Sequence, residues 1–327
     1  MYPDIQLQER KLRMRSLIVA CNAVIPFLIY LGAGYAAKRT GIVEDTFLKK
    51  LNTMNFRLFY PFVMFNSFYQ IEPGMHLSPK PIAFSVVMLG IVIFLSCLLV
   101  PRFVKEDKKR SVVIQAIYRS NAVLYALPLS ESVFQQNGVV ICAMVVAVIV
   151  PIYNITAVIL LERYSGKTSS PAKLIRDVLK NPLIIGAMAG VVFLLTGVRL
   201  PQAVLGPVSA FGNMATPLAL FVLGGSLVFG DMKKNRKYLT GVSLLRLVLV
   251  PAVVLMVSCM FAFSPAERFV LFAVFATPIA VASYPMAQNM GGDGELAGQL
   301  VFVTTVLSII TLFIWIFLQS SLNMLGA

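Results

Sequence analysis

Long apolar runs separated by short basic loops dominate the sequence. Runs of the length that spans a bilayer, about 17–25 residues, fall at roughly 16–37, 51–70, 81–101, 111–135, 137–161, 181–198, 200–229, 238–262, 266–289 and 295–322. The pattern predicts an all-α polytopic membrane protein with ten transmembrane helices. The first run is too long for the apolar part of a secretory leader and has no small-residue cleavage site before a polar mature segment. It therefore reads as the first helix.

Composition supports the same class. Apolar residues make up 58% of the 327 positions and charged residues 13%, with a mean hydropathy of +0.83, against about one quarter charged in an average soluble domain. No water-soluble fold buries so much. A net charge of +14 would suit nucleic acid, but the basic residues sit in loops between apolar runs, where they set orientation, so no nucleic-acid partner is expected. The loops after runs 1, 3, 5 and 7 carry Lys38, Arg39, Lys49, Lys50, Arg102, Lys105, Lys108, Lys109, Arg110, Arg163, Lys167, Lys173, Arg176, Lys180, Lys233, Lys234, Arg236 and Lys237. These 18 charges mark a cytoplasmic face. The other face has Lys80, Arg199 and Arg268 in its loops, and the tail residues Arg10, Lys11, Arg13 and Arg15. Both termini then lie on the extracytoplasmic side, although the basic tail runs against that assignment. Cys21, Cys97, Cys142 and Cys259 fall inside runs without metal-site spacing, so each reads as a small buried apolar residue. No disulfide, metal or cofactor is expected.

The runs repeat. Pro26, Pro61 and Pro128 are followed by Pro182, Pro217 and Pro285 at one shift of 156–157 residues. The same shift pairs Gly34 with Gly190, Gly138 with Gly294, and PFVMF (61–65) with PLALF (217–221). Each half holds an odd number of runs, so the second half enters the membrane from the opposite side, giving two inverted five-helix repeats, 1–161 and 181–327. Such inverted repeats build many secondary transporters. The polar stretch 162–180 is a linker between them.

Candidate chemistry sits in runs 4 and 9. Run 4, SVVIQAIYRSNAVLYALPLSESVF (111–134), carries Arg119, Ser120 and Asn121 about halfway across, then Pro128. Run 9, AERFVLFAVFATPIAVASYPMAQNM (266–290), carries Thr277, Pro278, Ser283, Tyr284 and Pro285 at matching depth from the other side. Proline removes a backbone donor and clashes with the carbonyl four residues earlier, so stretches 121–128 and 277–285 are expected to expose unpaired backbone, tolerated in lipid only around a protein-lined cavity. Proline also favours the first position of a helix. Pro128 and Pro285 would then open second half-helices whose positive N-terminal ends favour an anion at the centre.

Plainer readings compete at each position. Prolines are common as simple kinks in membrane helices, and Asn121 suits a bond to a neighbouring helix as well as a ligand contact. Arg119, costly at mid-membrane, has a carboxylate substrate or Glu131 as candidate partners, or snorkels toward the cytoplasm. Arg57 and Arg246 are expected to snorkel to the headgroups on their long stems. Glu131 and Gln288 are candidates for a coupling or gating role, with helix capping or a surface position the plainer fate of Glu131. In 212–227, Gly224, Gly225 and Ser226 read as packing residues, while Asn213 and Thr216 are candidates for a cavity wall. The single histidine, His76, falls in a predicted outer loop, and no hydrolytic triad, paired-aspartate or zinc-protease pattern appears in the runs. An intramembrane enzyme is not expected.

At these residues the chain resembles the auxin efflux carrier family, which includes plant PIN proteins and bacterial malate and malonate permeases. The resemblance covers nearly all of 18–322, and rests on Arg119-Ser120-Asn121 with Pro128, on ATPLALFVLGGSL (215–227), and on ATPIAVASYPMA followed by GGDGELA (276–287 and 291–297). It implies ten helices in two inverted repeats, a scaffold part and a transport part, and crossing broken helices that hold an organic anion. By the resemblance, Asn121 matches a substrate-contacting asparagine and Pro128 the crossover proline. The departures are Ser120, where glycine is frequent, and Ile279 and Ala282, where the ninth helix often shows Thr and Asn. Plant members often carry a long cytosolic insert between the halves; the short linker here points instead to a bacterial type of substrate, a small carboxylate, and a bacterial inner (plasma) membrane.

The sequence thus predicts an alternating-access carrier whose partners are a small organic carboxylate and the lipid bilayer, with a homodimer left open. The alternatives are a cation-coupled symporter or exchanger of similar architecture, a passive channel, and a non-transporting membrane sensor.

Overall fold

A computed structural model describes residues 25–71, 79–166, 170–227 and 232–325. The start of the first run, the basic tail, Cys21, His76 and Lys167 lie outside the described residues. The chain is helical throughout, with a single isolated two-residue bridge, Ser120 to Ile279, among the described residues. Helix α1 covers 25–39. It is followed by α2 (Asp45–Met54), a wide π-helical turn at Asn55–Phe59, α3 (Tyr60–Tyr69), α4 (Pro79–Phe103) and α5 (Asp107–Tyr118). Next come α6 (Ala122–Tyr164), α7 (Pro171–Leu179), α8 (Pro182–Thr196), α9 (Gln202–Ser226) and α10 (Arg236–Leu244). A second π turn at Leu245–Leu249 joins α10 to α11 (Val250–Ser258); α12 (Pro265–Ala276), α13 (Ser283–Asn289) and α14 (Gly294–Ser321) complete the order.

Five helical stretches are long and apolar enough to cross a membrane: Pro79–Phe103, Ala122–Tyr164, Gln202–Ser226, Arg236–Ser258 and Gly294–Ser321. A sixth is added if Ala172–Leu179 and Pro182–Thr196, bent by 68° at their junction, are one span. That is fewer than the ten apolar runs, because several runs fold as shorter pieces. Run 4 is cut after Tyr118 and run 9 after Ala276. Conversely, α6 takes in the end of run 4 and all of run 5. At Gln135 its backbone leaves helical geometry (φ 51°, ψ −141°). A Cβ placed on Gly138 would lie 2.3 Å from the carbonyl oxygen of Ser130, whereas residues eight apart in a straight helix are separated by about 12 Å along the axis. The chain therefore doubles back at Gln135, and only glycine fits where the two arms meet.

Local signals explain most ends. Asn181 caps α8 through Leu183 N–H at 3.0 Å, with Pro182 in its first turn, and Gly197 closes it with φ 68°, the left-handed position that glycine takes without strain. The polar stretch 162–180 includes regular structure: Ser170 accepts from Lys173 N–H at 3.3 Å and starts α7. Ser264 and Glu267 form a reciprocal capping box on α12. Ser264→Ala should remove about 1 kcal/mol of stability, read as a lowered melting temperature of the purified protein.

Two groups of helices pack within themselves: α3 against α8 and α9, and α6 against α12, with α5, α13 and α14 around them. Glycines set the closest approaches. A Cβ on Gly34 would come within 1.9 Å of Phe221 O, and one on Gly224 within 1.9 Å of Leu31 O, so α1 and α9 touch backbone to backbone. On α8, Gly186 and Gly190 meet α3 in the same way, at Pro61 O (2.2 Å) and Phe65 O (2.6 Å). Small residues at such contacts are how membrane helices gain packing without a hydrophobic driving force between them. Gly224 and Gly225 are accordingly buried packing residues. Of the described cysteines Cys142 is buried and Cys97 partly so, but Cys259, following the last residue of α11, is exposed rather than buried.

Candidate functional site

The two interrupted helices meet at their breaks. After α5, Arg119 and Ser120 run extended and Asn121 opens α6 (φ −92°, ψ 53°). After α12, residues 277–282 leave the helix before α13 begins. The breaks run antiparallel: Asn121 N–H donates to Pro278 O at 2.8 Å and Ala280 N–H to Arg119 O at 3.2 Å. Ile279 N–H donates to Thr304 Oγ1 at 3.3 Å. Backbone expected to be left unpaired is thus largely paired across the crossing, which is how non-helical chain is sustained at membrane depth.

The prolines do not open the half-helices. α6 starts at Ala122, and Pro128 lies inside it; α13 starts at Ser283, with Pro285 as its third residue. The break in run 4 falls at 119–121 instead of 121–128. Within α6, Pro128 withholds the donor that Leu124 O would otherwise meet.

A cavity of about 890 Å³ lies beside the crossing, between α1, α3, α6 and α9. Of the sequence candidates, Arg119, Ser120, Asn121 and Pro128 line it, and so do Asn213, Thr216 and Ala282. Thr277, Pro278, Ile279, Ser283, Tyr284 and Pro285 do not; their chain reaches the cavity only through Ala280, Val281 and Ala282. Gln288 accepts from Asn52 Nδ2 at 2.8 Å, away from the cavity, and Glu131 is exposed outside it. The cavity is therefore asymmetric, with the first turn of α6 open to it. Val123 and Leu124, both lining residues, are 48% and 45% exposed. The earliest N–H groups of a helix have no partner within it, and here they border open space.

Arg119 is buried at 2% exposure and neither snorkels nor pairs with Glu131. Its guanidinium donates to Gln115 Oε1 (3.3 Å), Met286 Sδ (2.9 Å) and Asn154 Oδ1, all neutral. Asn121 sits in the N-cap position but its side chain makes no cap bond, and Nδ2 is buried without a partner. An N-cap asparagine ordinarily spends its side chain on the helix; this one is left for something else. Ser120 Oγ and Tyr153 Oη are 3.0 Å apart. Among the described lining residues Arg119 is the only charged group, and no carboxylate is present. Asn66, Ser67, Tyr153 and Asn154 also line the cavity and escaped the sequence reading, although amides within apolar runs were a usable signal.

Arg246 departs furthest from expectation. Arg57 is exposed, as snorkelling requires, but Arg246 has 0% exposure. Its Nε donates to Thr277 O at 3.0 Å and its Nη1 to Ile117 O at 3.3 Å. It sits in the second π turn, where Trp315 Nε1 donates to Leu247 O at 2.9 Å. A lone arginine a third of the way along an apolar run gives no sign in sequence of pointing inward.

A relative from Methanothermobacter thermautotrophicus (strain Delta H), named as an uncharacterized transporter, is 23% identical over 299 residues, covering 90% of this chain and 96% of its own length. Residues 19–316 match the family described as membrane transport protein. With its buried broken-helix crossing and apolar helices, the chain is a multi-pass membrane transport protein, not an enzyme, and belongs to this family, the auxin efflux carrier family that its motifs resemble.

Proposed function

We propose that the chain carries a small organic carboxylate across the membrane by alternating access, binding it in the cavity beside the helix crossing. The observation that carries this reading is the chemistry of the cavity wall, which among the described residues has one buried arginine, no carboxylate, an unpartnered Asn121 amide and the first turn of α6. Unpaired N–H groups and the positive end of a helix favour anions, and Arg119 has neutral partners only, so its charge is uncompensated locally.

The same reading takes the chain as ten spans in two inverted halves, with 162–180 joining them in the cytoplasm, both termini outside, and a bacterial inner membrane as its location. Its support is a pair of contacts. Gly34 meets Phe221 O and Gly190 meets Phe65 O, and the 156-residue shift that turns Gly34 into Gly190 also turns Phe65 into Phe221. Each half inserts its glycine against the same position of the other, as a pseudo-twofold axis requires. The α3–α8–α9 group would serve as scaffold and the group holding the crossing as the moving part.

Substrate counterflow in proteoliposomes tests the function, since trans-side acid accelerates uptake through a carrier and not through a channel. Asn121→Ala should leave folded protein whose carboxylate affinity falls by about 10–150-fold, the effect of losing one hydrogen bond to a charged group at roughly 1.5–3 kcal/mol. No trans-acceleration in the parent protein, or unchanged affinity in the variant, would sink the proposal.

A further inference from the structure

The cavity lies against the N-terminal side of the crossing; the opposite pole has its own occupant. α5 and α12 both end there, at the two breaks that pair with one another. A helix C-terminus carries roughly −0.5 elementary charge, so two meeting ends accumulate about −1. In transporters built from broken helices, half-helix C-terminal ends and unwound carbonyls are where a coupling cation binds. Here a side chain occupies that position. Arg246 reaches Ile117 O at the end of α5 and Thr277 O at the cap of α12 with two different nitrogens. It is fully buried, does not line the cavity, and no ion pair joins it to a carboxylate among the described residues.

We infer that Arg246 is a resident cation: a covalently supplied positive charge that neutralises the carbonyl pole of the crossing and positions residues 119–121 and 277–282, in place of a dissociable metal ion. An isolated buried guanidinium is expensive, and the two C-terminal ends are what compensate it. Arg246 sits in the wide turn at Leu245–Leu249, where Trp315 Nε1 donates to the carbonyl of Leu247 beside it. Arg246 is thus a positioning residue, since it does not line the cavity and acts through the two breaks whose carbonyls it holds. The carrier reading gives this role its meaning, but the test below needs no substrate, so the two fail separately.

The experiment is thermal unfolding of the purified full chain in sodium, potassium, choline and low-millimolar guanidinium chloride. The parent protein should melt at one temperature in all four. Arg246→Ala should melt lower by ~10 °C, given what an unmatched buried charge site costs, and at least half of that loss should return with millimolar guanidinium, but not with choline. A purely structural side chain would lower the melting temperature equally in every salt, and that result overturns the inference, as does a variant as stable as the parent. If Arg246→Ala yields no folded protein, Arg246→Lys and Arg246→Gln decide. Lysine keeps the charge but loses the two-carbonyl fork, so stability should fall in the order Arg, Lys, Gln; glutamine equal to or above lysine overturns the assignment.

Discussion

Gly224→Ala is expected to cost about 3 kcal/mol or more and to sharply reduce the yield of folded protein. One methyl group there would sit 1.9 Å from Leu31 O and 2.7 Å from its carbonyl carbon, and backbone cannot swing aside as a flexible side chain can. Overpacking a tight contact typically costs 1–3 kcal/mol, and this approach lies at the severe end. The matched control is Gly90→Ala on α4, where an added Cβ meets nothing within 4 Å; there the same substitution should be neutral or stabilising by about 0.5–1 kcal/mol through helix propensity. Opposite signs for one chemical change, measured by thermal unfolding in one detergent, are the expected result. Equal melting temperatures would mean that α1 and α9 do not touch backbone to backbone.

Arg119→Gln should have the largest effect on ligand affinity. It removes the only charge among the described cavity-lining residues and deprives Gln115 and Asn154 of their donor. Truncating one member of a buried charge pair costs about 2–5 kcal/mol, so carboxylate affinity should drop at least ~30-fold, with a smaller loss of stability from the two orphaned acceptors. Arg119→Lys keeps the charge without the planar fork and should fall between. Equal carboxylate affinity in all three proteins, measured on folded material by isothermal titration, would remove Arg119 from the proposed site.

The location of the crossing was legible because two unrelated signals coincide there: polar residues at mid-run in 119–121 and Thr277-Pro278. The chain break follows the polar residues more closely than the prolines. A proline at Pro128 or Pro285 signals lost backbone bonding, which suits an N-terminus, a kink or an interior position equally, and both residues lie inside their half-helices. The turn at Gln135 matched the expected boundary between runs 4 and 5, where Gln135, Gln136, Asn137 and Gly138 interrupt the apolar pattern. The fate of Arg246 was not legible. Its depth depends on a π turn and on two carbonyls from helices more than thirty and more than one hundred positions away, and neither leaves a local trace. Arg57 occupies a π turn as well and is exposed, so even the turn does not decide which way an arginine points. Thr277, Ser283 and Tyr284 carried the right chemistry but lie behind the chain that faces the cavity, because the second break is longer than the first.

The open first turn of α6 has an evolutionary consequence. Its donors at Ala122, Val123 and Leu124 belong to the main chain, which every residue but proline supplies, so ordinary substitution cannot delete them while the helix keeps its start. The side chains around the cavity, such as Val63, Val146, Val150 and Leu220, can drift freely in bulk. Descendants of this sequence can therefore inherit a fixed taste in charge while their taste in size diverges.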